Sequence, residues 1–152
     1  MDDYRNVKGY EGILKQFGSW PSFHDAEIVS ILLDRDEGHG RVGPTITLKI
    51  HAFNMTSEIT EGGYYKSINH AVITFYFMDV VDFELKYGFG IQNSISGFFV
   101  SDIRKDQLEN INFHISAQTH DTAELDFKCA RVEILAIEQG IPANSVYASV
   151  SL

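Results

Sequence analysis

An α+β protein dominated by antiparallel β-sheet, with one short N-terminal helix, is the fold class this sequence predicts. Three observations carry that expectation. Helical apolar spacing occurs once, near the N-terminus; from Ala26 onward the apolar period is two; and the connections between two-periodic segments are mostly short and turn-rich. The chain of 152 residues has the length of one ordinary domain, and a domain of that size buries about 70% of the surface its unfolded form exposes. No internal repeat, low-complexity tract or Pro-rich linker interrupts it, so residues 1–152 are read as a single domain.

The helix is predicted over Tyr10 to Phe17, where Tyr10, Ile13, Leu14 and Phe17 follow an i, i+3, i+4, i+7 spacing. Gly18 supplies its C-terminal stop, with Pro21 just beyond. The following AEIVSILLDR (26–35) is apolar on both faces, the pattern of a central strand covered on both sides. TITLKIHAF (45–53) alternates, with Ile46, Leu48, Ile50 and Ala52 on a core face and Thr45, Thr47, Lys49, His51 and Phe53 on a wet or engaged one. Residues 55–69 read as a long polar connection with room for an irregular edge strand.

HAVITFYFM (70–78) reads as a strand with Ala71, Ile73, Phe75 and Phe77 inward. VVDFELKYG (80–88) sets Val81, Phe83, Leu85 and Tyr87 against Asp82, Glu84 and Lys86, and is expected to pair with the preceding strand around a turn at 78–80. SISGFFVSD (94–102) is a shorter strand. LENINFHISAQ (108–118) turns inward Ile111, Phe113, Ile115 and Ala117, and the chain returns through Ala123, Leu125, Phe127 and Cys129 as a hairpin. Beyond Cys129 the apolar phase slips by one residue, which a bulge near Ala130 explains without ending the strand. The total is about eight strands.

Charge and composition narrow the function classes. The 12 Lys and Arg are outnumbered by 21 Asp and Glu, giving a net charge of -9. A nucleic-acid partner is thereby disfavoured, because phosphate binding rests on clustered cations. An acidic surface instead suits basic protein partners. No apolar run has the length to span a bilayer, and MDDYRNVKGY at the N-terminus lacks both the basic and the apolar region of a secretory signal. A cytoplasmic location is expected. The single cysteine, Cys129, excludes an intramolecular disulfide and sits in an apolar strand pattern, where a thiol behaves as a small hydrophobe.

Six histidines, His24, His39, His51, His70, His114 and His120, invite a metal reading, yet none stands at H-x-H, H-x-x-x-H or HExxH spacing. His51, His70 and His114 fall on polar strand faces that the sheet could bring together. His24 beside Asp25 resembles a base and its orienting carboxylate, but neighbours in an extended chain point to opposite sides, and Ser22 lacks a nucleophile elbow. The glycines of YGFGIQNSISG and DEGHGRVG match no phosphate-binding pattern. No cofactor is expected. Asp82 with Glu84 and Glu124 with Asp126 share strand faces at i, i+2, a solvated arrangement before a catalytic one. Tyr64, Tyr65 and Tyr76 do not fit the inward face, and are read either as a recognition surface or as loop aromatics folded over the core edge.

GSWPSFHDAEI (18–28), KIHAFNMTSEI (49–59), GGYY (62–65), HAVITFYF (70–77), IQNSISG (91–97) and FKC (127–129), in that order, resemble the immunity protein 50 family. Trp20, Pro21, Phe23, His24 and Asp25 are its signature here. The resemblance runs from about Phe17 to Ile137 and implies a bacterial protein of a polymorphic toxin system that neutralises a cognate toxin by binding it. It carries no catalytic role over to His24, Asp25 or His51. Under this reading Asp82, Glu84, Glu124 and Asp126, with Tyr64 and Tyr65, are the residues expected to touch the partner. Two other readings compete: a small-ligand or metal-dependent enzyme using His24, Asp25, His51 and His70, and a homo-oligomeric structural domain. Composition decides neither these nor whether the chain is a monomer or a homodimer.

Overall fold

The computed structural model describes residues 4–35, 43–119 and 124–148. The expected helix is α1 (Tyr10–Phe17), and it ends where Gly18 takes a left-handed conformation at φ 81° and donates its N–H to the Leu14 carbonyl. A side chain with a Cβ would meet steric cost in that conformation. Ile13 and Phe17 are buried, and the helix rides close over the neighbouring strand because a Cβ on Gly12 would lie 3.1 Å from Ile137 Cδ1.

Eight strands follow among the described residues: β1 (Glu27–Asp34), β2 (Thr45–Ile59), β3 (Tyr65–Met78), β4 (Val81–Lys86), β5 (Ile95–Asp102), β6 (Phe113–Thr119), β7 (Glu124–Cys129) and β8 (Arg131–Gln139). They form two four-stranded antiparallel sheets, ordered β1-β2-β3-β8 and β4-β7-β6-β5. In the first, Ile46 pairs with Phe77, Leu48 with Phe75 and Ile50 with Ile73. In the second, Ile115 pairs with Phe127 and Ala117 with Leu125. Alternation puts each set on one face of its sheet, and the two faces meet in one core, with Phe75 5.1 Å from Phe98 and Phe77 4.9 Å from Phe127 between ring centroids. The sheets are also stitched at one edge, where Asp25 N and Ile28 N donate to the carbonyls of Ile95 and Asn93, and Ile95 N donates to that of Ala26.

The inward residues of β2 and β3 are those the alternation predicts, and the β6–β7 hairpin forms. Several other expectations are corrected. β1 is an edge strand rather than a central one; Leu32 and Leu33 are 59% and 55% exposed. Its unbroken apolar run reflects the junction with β5 at its start, not cover on both faces throughout. β2 and β3 extend through the supposed connection, so Met55–Ile59 and Tyr65–Asn69 continue the ladder past register shifts. β3 and β4 do not pair: β4 crosses to the second sheet and pairs with β7. Left-handed Asp79 and Asp82, φ 57° and 55°, break the extended path between them. The phase slip at Ala130 is likewise a change of sheet, since β7 ends at Cys129 and β8 pairs with β3. Tyr76, expected on the surface, is buried at 8% exposure. His39, His120 and Ala123 lie outside the described residues.

The Trp20–Asp25 segment closes the core beside the helix. Phe23 is buried and sits edge-on to Phe75 and Phe98, while Trp20 stacks on Tyr4 at 4.9 Å. Phe23 and Asp25 both take left-handed backbone, φ 60° and 66°. That turn, rather than an extended chain, brings His24 Nδ1 within 3.1 Å of Asp25 Oδ2, so the expectation that the pair diverges is corrected. Both side chains remain partly exposed, 58% and 33%. The Asp25 carbonyl accepts a hydrogen bond from the Tyr147 hydroxyl at 3.0 Å, which ties the turn to the C-terminal segment.

Candidate functional site

Two polar constellations stand out, one on each sheet. The outer face of the second sheet gathers all four acidic residues singled out in the sequence. Glu84 lies directly across from Asp126 and Lys86 across from Glu124 in the β4–β7 ladder. His114 Nε2 is 2.9 Å from Asp126 Oδ2 and Lys128 Nζ is 3.7 Å from Asp82 Oδ2. A shallow polar groove between Glu84, Ser116, Glu124 and Asp126 runs over this face. Like charges directly across a ladder destabilise a sheet; here Lys86 Nζ lies 3.5 Å from Glu84 Oε2 and His114 stands against Asp126, which offset part of that cost.

The second constellation is on the outer face of the first sheet, where strand alternation turns His51 and His70 away from the core. Glu27 pairs with His51 across β1 and β2. Glu27 Oε1 is 2.7 Å from His51 Nδ1, His51 Nε2 is 2.9 Å from His70 Nδ1, and His70 Nε2 is 3.0 Å from Ser67 Oγ. His51 and Glu27 are buried, while Ser67 and His70 are half-buried. The C-terminal segment covers the buried end: Ser145 Oγ donates to Glu27 Oε1, and the Tyr147 ring packs 5.8 Å from His51 and 4.6 Å from Phe53.

Hydrogen-bond roles along this chain follow from its carboxylate end. A carboxylate only accepts, so His51 donates from Nδ1 and is left with Nε2 as acceptor. His70 then donates from Nδ1, and its free Nε2 accepts from the Ser67 hydroxyl. Every member is satisfied, as a buried network requires. Burial, and next the neighbouring His51, hold the His70 imidazole below its ordinary value of 6.5; the bond with Ser67 and the charge of Glu27 oppose them. Burial and the negative charges of Asp25 and Glu27 push the Tyr147 hydroxyl up to about 12, so it stays a donor to Asp25.

The sign of the His70 shift sets a pH dependence. A histidine whose folded-state value is depressed binds more protons when unfolded, so its contribution is complete above 6.5 and is lost as pH falls below that value towards the folded one. The melting temperature is expected to drop between about pH 7 and about pH 5, and His70→Gln is expected to flatten that drop. Thermal melts of both proteins across this window measure it; parallel curves would show that His70 makes no contribution.

Ser67, at the outer end of this chain, lines a cleft of about 580 Å³ together with Thr60, Tyr64, Tyr65, Lys66, Gln92, Val146 and Tyr147. Tyr64 and Tyr65 are 67% and 60% exposed. They belong to the β2–β3 turn of the first sheet, so the structure groups them with the histidine chain and not with the acidic face. Of the three strand-face histidines, His51 and His70 converge, and His114 stands on the other sheet. Among the described residues no group of three His, Cys, Asp or Glu is arranged to hold a metal ion. The Cys129 thiol is buried in the core and pushed up to about 12 by that burial.

Glu27, Ser67, Ser145 and Tyr147 are the site residues that the sequence reading missed. Glu27 falls two residues past Asp25 at a strand start, and Ser67 stands three before His70 in a stretch read as connection. Spacing offers a weak signal for those two and none for Ser145 and Tyr147, which lie in a segment without periodicity. No helix among the described residues is long and apolar enough to cross a membrane.

Comparison with known proteins adds one result. The chain matches no curated protein and no solved structure. Residues 9–140 match the family described as Immunity protein 50, a span that holds α1, all eight strands, the Trp20–Asp25 turn, the acidic face and the histidine chain. The chain therefore belongs to the Immunity protein 50 family.

Proposed function

We propose that this chain is a bacterial, cytoplasmic immunity protein that neutralises a cognate toxin by binding it stoichiometrically, without catalysis, through the outer face of the second sheet. The observation that carries the reading is the Glu84–Asp126 pair. Two carboxylates facing each other across a ladder, offset only by exposed Lys86 and by His114, favour a basic partner placed over them, which lowers their remaining repulsion as it binds. The net charge of -9 adds a long-range attraction for the same kind of partner. Asp82 and Glu124 extend the acidic face on either side. Tyr64 and Tyr65 offer large aromatic area at a second surface, suited to slowing dissociation rather than speeding encounter.

The experiment is a stopped-flow association measurement with the cognate toxin domain. Replacing Glu84 and Asp126 together with lysine is expected to lower the association rate by about tenfold or more at low salt, with the difference shrinking as salt screens the charges. Protection of cells expressing the toxin is expected to weaken in parallel. An unchanged rate at low salt would reject this face.

A further inference from the structure

We propose that Ser67 is an activated nucleophile that accepts an acyl group from small aryl or alkyl esters bound in the tyrosine-lined cleft, with His70 as its general base and His51 and Glu27 as positioning residues. This goes beyond toxin binding and does not depend on it.

The geometry satisfies the tests for such a site in order. A nucleophile and its base are within hydrogen-bond reach, with Ser67 Oγ 3.0 Å from His70 Nε2. The base is oriented by a bond to its other nitrogen, His70 Nδ1 to His51 Nε2 at 2.9 Å, and the orienting ring is fixed by Glu27 at 2.7 Å. Because the carboxylate end dictates the tautomers, the His70 lone pair points at the serine hydroxyl. Here the order is imposed from the buried end, and it leaves the outermost hydroxyl as the donor.

The surroundings fit the chemistry. His51 is fully buried and Glu27 is 5% exposed, so solvent does not scramble the relay. The cleft that Ser67 lines is about 580 Å³, within the range of small-molecule sites. Tyr64, Tyr65, Val146 and Tyr147 supply apolar and aromatic walls for an aryl or alkyl group.

In the reaction Ser67 Oγ–H passes its proton to His70 Nε2 as Oγ bonds to the ester carbonyl carbon. The positive charge on the His70 ring is stabilised through His51 by Glu27. The bond from the carbonyl carbon to the leaving oxygen then breaks, and that oxygen takes the proton from His70, giving an alcohol and acyl-Ser67. A water molecule deprotonated by His70 attacks the acyl group, breaks its bond to Oγ, returns the proton to Oγ through His70 and releases the acid.

The test is incubation of the full chain, without toxin, with p-nitrophenyl acetate, reading nitrophenolate release and the acetylated residue by peptide mass spectrometry. Release with acetate on Ser67 is expected. Ser67→Ala is expected to abolish that adduct, and His70→Gln to slow acylation by about 100-fold or more. Glu27→Gln is expected to lower the rate and move the acid limb of its pH profile to lower pH, because the Glu27 charge favours protonated His70; a structural role alone would not move that limb. Thermal melts establish that each variant is folded, and Ser67 and His70 are both half-buried positions. No adduct on Ser67, or the same acylation rate in folded His70→Gln, would overturn the proposal. With no toxin present, neither outcome bears on the acidic face.

Discussion

Replacing Phe75 with alanine is expected to destabilise the protein by about 3–5 kcal/mol, the largest loss from any single core truncation. Phe75 is fully buried on β3, and its ring centroid lies 5.1 Å from Phe98, 6.1 Å from Phe77, 6.2 Å from Phe23 and 6.4 Å from Trp20. One ring thus joins the first sheet, the second sheet and the turn that closes the core. Truncating it removes apolar burial from all three and leaves a cavity whose walls belong to different elements, which limits collapse around it. A domain is typically stable by about 5–15 kcal/mol, so the variant retains little margin. Urea denaturation measures the effect as a lower midpoint at unchanged slope. Tyr87→Ala, at a side chain 75% exposed, is expected to stay within about 0.5 kcal/mol. A Phe75→Ala loss no larger than that would show that the two sheets do not depend on this contact.

The residues around Phe75 also show how far the sequence could be read. Alternation identifies Ala71, Ile73, Phe75 and Phe77 as inward because a half-buried strand exposes every second side chain to one environment, and all four are buried. The helix bounds are equally legible, since a period of 3.6 and a terminal glycine are local signals. Pairing is a different matter. Nothing local tells β4 to leave β3 and join β7; that choice depends on contacts between residues some 40 positions apart, such as Glu84 and Asp126. The same limit hides the change of sheet at Ala130, because a phase slip looks identical whether a bulge or a crossover causes it.

The candidate sites divide along the same line. The acidic residues share a face because their spacing on single strands is two, and β4–β7 pairing then places Glu84 against Asp126. His51 and His70 were legible as outward-facing, but their meeting requires the β2–β3 register, in which His51 stands opposite Val72. Their burial requires Ser145 and Tyr147, more than 70 residues further on in sequence, and a segment without periodicity announces no partner. An outward strand position that alternation marks as wet or engaged is therefore engaged, by a segment that gives no local signal.

Glu27→Ala is expected to be the most damaging change outside the apolar core, because Glu27 is where three parts of the chain are tied. Its carboxylate accepts from His51 Nδ1 and from Ser145 Oγ, and its backbone forms an isolated bridge with Ser94 at the seam between the sheets. Removing the carboxylate takes the acceptor from both donors; His51 Nδ1 and Ser145 Oγ, 3.4 Å apart, keep only each other, so one donor is left without an acceptor, at a cost of about 1–3 kcal/mol when buried. The loss also frees the tautomer order of the histidine chain. Glu27→Gln keeps one acceptor oxygen, so its cost is expected to be well below that of alanine. The C-terminal segment is expected to loosen in the alanine variant, since Ser145 holds it to Glu27 and the Tyr147 amide bonds in turn to Ser145 Oγ. Hydrogen exchange at Tyr147 and its neighbours, read beside the denaturation midpoint, separates the two effects. Faster exchange there in Glu27→Ala but not in Phe75→Ala, at conditions where both stay folded, is the expected pattern. Equal exchange in both would mean that the segment is held by the other contacts of Tyr147, its hydroxyl bond to the Asp25 carbonyl and its packing on Phe53 and His51, rather than by the carboxylate.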